Sequence, residues 1–114
     1  MRKLLVLAVL VAAGAAMAVF AASAPSATRV KVGDNYFVRP SGVPTVTVSS
    51  GTAVRWVWTG RNQHNVFVAR GPVRFHSSVK KSGSYTKTIR TRGTYTIICQ
   101  IHGGSDQKMK LVVK

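Results

Sequence analysis

From Thr28 onward, apolar and polar residues alternate in short runs rich in Thr, Val, Tyr and Ile, separated by Gly, Ser, Pro and Asn. This is the pattern of strands bounded by turns. It predicts strands over 28–32, 36–39, 45–49, 53–58, 64–69, 84–90, 94–99 and 108–113. The period of two assigns faces. Val54, Trp56 and Trp58 fall on one side of their strand and Arg55, Val57 and Thr59 on the other, so both tryptophans are expected in the interior. Tyr95, Ile97 and Cys99 share a face, as do Gln107, Met109, Leu111 and Val113. No helical stripe and no internal repeat is visible after the first two dozen residues, although 70–83 leaves room for one helical turn. The expected fold class is all-β, and the strand spacing suits a sandwich.

The N-terminus has a different pattern. Arg2 and Lys3 precede an uncharged apolar run from Leu4 to Ala22, followed by small residues at Ala22-Ser23-Ala24. A basic start, an apolar run and a small-residue exit describe a secretory signal. The run is also long enough to span a bilayer as an uncleaved anchor, and cleavage after Ala24 would leave Pro25 first. The expected organisation is therefore a signal peptide or anchor over 1–24, a linker over 25–28 and one domain over 29–114. Both readings put the domain outside the cytoplasm: secreted, periplasmic or at the cell surface. No cysteine lies near the exit site, which argues against lipid attachment.

Composition removes whole classes of chemistry. Lys and Arg number 17 against two acidic residues, Asp34 and Asp106, for a formal charge of +15. Paired-carboxylate hydrolysis and carboxylate-rich calcium or magnesium sites lack their ligands. A single cysteine excludes an internal disulfide and a multi-thiolate zinc site. No Gly-x-Ser-x-Gly elbow occurs, and no enzyme is expected. In an exported domain this charge points away from nucleic acid. It points to acidic lipid headgroups, cell-wall polymers or a protein with an acidic face, or serves only to keep the domain soluble.

The remaining chemistry lies in Cys99 and the histidines. A lone thiol in an exported protein is exposed to oxidation unless buried or liganded. Cys99-Gln100-Ile101-His102 ends a strand opened by Gly93-Thr94-Tyr95, and His64 lies upstream before Asn65-Val66-Phe67-Val68. One thiolate and two imidazoles form the trigonal set that suits copper with a weak axial donor, and zinc accepts nearly the same set. His102, flanked by Gly103 and Gly104, is expected to be exposed, and His76 is expected to be an ordinary loop residue.

The stretches Gly51-Thr52-Ala53-Val54-Arg55-Trp56, His64-Asn65-Val66, Gly83-Ser84-Tyr85-Thr86 and Gly93-Thr94-Tyr95-Thr96-Ile97-Ile98-Cys99-Gln100-Ile101-His102 resemble the cupredoxins, small blue copper proteins of the plastocyanin and amicyanin type. The resemblance covers essentially all of the chain after residue 28. It implies a Greek-key β-sandwich, one type 1 copper held by His64, Cys99 and His102, and single-electron transfer between redox partners by a monomer. It also implies that Asn65 ties the two ligand loops together, while the basic charge points to a redox protein with an acidic docking face, or an anionic cell surface, as the partner. For the axial position two alternatives remain: spacing from the closing strand favours Gln107, whereas thioether chemistry favours Met109. Two other functions use the same residues: a copper carrier or storage protein without fast redox exchange, and a metal-free binding sandwich with Cys99 as core.

Overall fold

The computed structural model describes residues 27–114. The expected signal or anchor over 1–24 lies outside the described residues. Eight strands form: β1 (Thr28–Gly33), β2 (Tyr36–Phe37), β3 (Thr45–Val48), β4 (Thr52–Trp58), β5 (Phe67–Arg70), β6 (Ser84–Ile89), β7 (Gly93–Ile98) and β8 (Lys108–Val113). They make two four-stranded sheets, ordered β2-β1-β4-β6 and β3-β8-β7-β5. β1 pairs with β4, and β3 with β8, in parallel; the other pairings are antiparallel. The all-β sandwich is thus the architecture observed.

Alternation builds the core. Val54, Trp56 and Trp58 are buried while Arg55 is exposed, and Tyr95, Ile97 and Cys99 meet Met109, Leu111 and Val113 in the interior. Trp56 packs its ring 5.8 Å from Tyr85 and 6.1 Å from Phe75, between the two sheets. Burying each such aromatic contributes on the order of 2–3 kcal/mol. The Tyr95 hydroxyl, at the far end of the same cluster, donates to the Thr91 carbonyl at 2.7 Å.

Two strands have an end more than one residue from where the pattern puts it. The second ends at Phe37 because Val38 takes φ 67°, a left-handed conformation that no strand continues, while its N–H bonds the Lys31 carbonyl. The fifth begins at Phe67 rather than His64. The His64 N–H and C=O both bond Lys80 in an isolated bridge, which removes the segment from the ladder. No helical turn occurs in 70–83; it is an extended strap that bridges Phe67 and His64. β1 starts at Thr28, the last residue of the expected linker.

The topology brings five chain segments to one end of the sandwich. Pairing gathers the C-terminal ends of β1 and β4 in one sheet, and the C-terminal end of β7 with the N-terminal ends of β5 and β8 in the other; bonds from the Gln107 amide to the Gly33 and Tyr36 carbonyls join the two groups. The loops that join them carry all the remaining chemistry.

Candidate metal centre

His64, Cys99 and His102 converge at that end, with one donor atom from each lying within 4.8 Å of the others. Cys99 Sγ is 3.9 Å from His64 Nδ1 and 3.5 Å from His102 Nδ1, and the two Nδ1 atoms are 3.2 Å apart. Donors held about 2.0–2.3 Å from one ion lie roughly 3–4 Å from one another. The three side chains therefore fit a single ion, and one thiolate with two imidazoles is a set that can bind one copper.

Each donor has its own mount. Cys99 follows β7 as the next inward position, fully buried, with its N–H on the Gln107 carbonyl at 3.2 Å. Its own carbonyl accepts from Gly103 at 2.8 Å, which closes a tight turn with Gly103 at φ 79°. That turn folds His102 back over the sulfur. His102 is half-buried, less exposed than its glycine neighbours suggest, and is the one donor of the three that reaches solvent. His64 is fully buried. Its carbonyl also accepts the Trp58 indole hydrogen at 3.2 Å, so core packing fixes its backbone.

Asn65 connects the two ligand loops. Its side-chain oxygen accepts the Gln100 N–H at 2.8 Å, and its amide donates to the Gln100 side chain at 2.9 Å. His76 is exposed and paired with Phe67 away from the cluster, as a loop residue.

The two axial candidates are separated by register. Met109 pairs with Ile97 and is enclosed in the core. Gln107 lies one inward step closer to the loops, beside Cys99, and is also fully buried. Its amide nitrogen donates to the carbonyls of Gly33 at 3.1 Å and Tyr36 at 3.0 Å, while its Oε1 has no hydrogen-bond donor. A buried acceptor without a partner costs about 1–3 kcal/mol, and ligation of a cation is one way to satisfy it. Of the two, Gln107 has the unpartnered donor atom, on a residue whose backbone is bonded to Cys99.

Asp34 also belongs to this end of the molecule, although the sequence pattern gives it no role. Its carboxylate accepts the His64 Nε2 hydrogen at 2.7 Å, Arg61 N–H at 3.0–3.1 Å and Asn62 N–H at 3.0 Å. The bond from His64, then those from Arg61 and Asn62, hold its carboxyl down to about 2. The one available signal is rarity, since Asp34 is one of two carboxylates in the chain. Because a carboxylate accepts only, the hydrogen of a neutral His64 ring sits on Nε2 and Nδ1 presents its lone pair to the cluster.

No protein-family model matches the chain. Solved structures do. An oxidised amicyanin variant aligns with a TM-score of 0.63 and 26% identity over 80% of this chain and 85% of that one. The Cu(I) form of another amicyanin variant aligns at 0.65 and 24%, over 81% and 86%. A copper-containing nitrite reductase from Thermus scotoductus SA-01 aligns at 0.69 and 23% over 82% of this chain, but over only 23% of that enzyme. The fold is cupredoxin-like, that of the small blue copper proteins.

Proposed function

We propose that the domain is an extracytoplasmic type 1 copper protein that carries single electrons between redox partners. The observation that carries this reading is the convergence of His64 Nδ1, Cys99 Sγ and His102 Nδ1 at one end of the sandwich. Gln107 is assigned as the axial ligand and Met109 as core. Copper, when bound, supplies a one-electron couple, with thiolate suiting Cu(I) and imidazole suiting Cu(II).

The chain's own residues do the rest. Cys99 and His64 are sealed from water, which limits solvent reorganisation around the site. The half-buried His102 ring is the route for an electron to the surface. The nitrite reductase alignment spans a single module of that enzyme, so it supports a shared fold and not a shared reaction. No catalytic role is assigned to the chain.

The partner we propose is a redox protein with an acidic docking face. Arg29, Lys31 and Arg55 project from one sheet, and Arg70, Lys108 and Lys110 line a groove that reaches Gly104 of the ligand loop on the other. Residues 1–24 are read as the export signal or anchor.

The test is the visible spectrum after addition of Cu(II). The folded domain should turn intensely blue through Cys99 thiolate-to-copper charge transfer, and Cys99→Ser should remove the colour. A colourless wild-type complex, or a blue Cys99→Ser variant, rejects the assignment. Rapid self-exchange between the two oxidation states separates an electron carrier from a copper store.

A further inference from the structure

The turn between β1 and β2, Gly33 to Tyr36, touches the donor set twice. Its Asp34 side chain takes the Nε2 hydrogen of His64, and its Gly33 and Tyr36 carbonyls take the amide hydrogens of Gln107. We infer that this turn is the positioning element of the metal site, with Asp34 the residue through which it orients the His64 ring and applies negative charge to it. The inference rests on the copper reading above.

The turn is built for that task. Asn35 adopts φ 69°, which reverses the chain within two residues, and a Cβ on Gly33 would lie 2.1 Å from the Tyr36 ring. The carboxylate is received by a second turn, where the N–H groups of Arg61 and Asn62 fix its two oxygens. Gly60 leaves the necessary room, since a Cβ there would sit 2.2 Å from the Asp34 Oδ1. Three hydrogen bonds from backbone and one from His64 leave the carboxylate little freedom. With both amide hydrogens of Gln107 held on the turn, its Oε1 is directed away from those two carbonyls. The turn thus orients one nitrogen and one oxygen of the proposed ligand set before any ion arrives.

Charge gives the arrangement a second effect. A carboxylate on the far nitrogen of a ligating imidazole makes that ring a stronger donor and holds its tautomer. Stronger donation favours the more highly charged oxidised ion. In a chain with two carboxylates, one is held against a proposed ligand while the other, Asp106, is exposed in the ligand loop.

The experiment compares four variants of the full chain with wild type by three readouts: nitrogen NMR of the His64 ring without metal, copper retention against a chelator, and the reduction potential. Wild-type His64 should show hydrogen on Nε2. Asp34→Ala should lose that single tautomer and retain copper roughly 10–100-fold less tightly. Gly60→Ala, which displaces the carboxylate without removing it, should move in the same direction. Asp34→Asn keeps an acceptor but not the charge, so the tautomer should persist while preference shifts about tenfold towards Cu(I), about 59 mV for one electron. Asp106→Asn removes an equal charge from the same end of the molecule, at a residue with no hydrogen bond to His64, and should shift the potential less than Asp34→Asn does.

Equal shifts in Asp34→Asn and Asp106→Asn would reduce the effect to net charge and overturn the inference. So would an Asp34→Ala variant that melts earlier yet keeps the tautomer, copper retention and potential. A wild-type chain that binds no copper would defeat the proposed function, whereas the metal-free tautomer would still decide whether Asp34 orients His64.

Discussion

Gln107 and Met109 are neighbours on one face of one strand, yet their surroundings differ. The Gln107 amide is fixed on the β1–β2 turn with its oxygen free, while Met109 packs opposite Ile97. Gln107→Met should therefore raise the reduction potential, because a soft thioether replaces an oxygen that favours Cu(II). Met109→Leu, close to volume-conserving, should leave the potential in place and cost under about 1.5 kcal/mol. Voltammetry of the two variants distinguishes the roles; a potential that follows Met109 instead would return the axial position to the thioether. At this scale the sequence was most readable where donors are close in the chain, as in Cys99 and His102. Asp34 was not legible, because its contact with His64 spans 30 residues and depends on two turns meeting in space.

Between elements, Asn65 is the tie that makes two loops one site. It is 2% exposed and forms two hydrogen bonds to Gln100. Asn65→Ala strands the Gln100 N–H and should cost about 1–3 kcal/mol. In a domain of this size that lowers the melting temperature by several degrees per kcal/mol. Calorimetry measures the loss, and a broadened copper spectrum would report the loosened loops; an unchanged melting point would show that water replaces the bonds. All eight strands were legible from runs of strand-forming residues between turns, and several also from alternation, since a buried face demands a period of two. The ends of β2 and β5 were not. There the chain leaves the ladder because of a backbone conformation at Val38 and bridging bonds at His64, neither of which alters the hydrophobic pattern.

Over the whole molecule, charge is segregated. Both carboxylates lie in loops at the metal end, and no strand carries an acidic residue. The proposed docking to an acidic partner should be fast at low salt, where electrostatic reach is about 30 Å, and slower at physiological strength, where it falls to about 8 Å. Stopped-flow rates across that range test this, and a flat profile would leave the charge as a solubility feature.

The position of β8 has a further consequence. The last of the eight strands to emerge during synthesis lies in the interior of its sheet, hydrogen-bonded to β3 on one side and β7 on the other. A nascent chain that has reached only Ile98 has both neighbours but nothing between them, and it lacks Gln107, Met109 and Leu111 from the core. Such distant pairings make folding slow, on the order of milliseconds to seconds. The polypeptide therefore remains without its closing strand until nearly all of the domain has been made. From the emergence of Cys99 until β8 docks, its thiol lacks the burial it later enjoys.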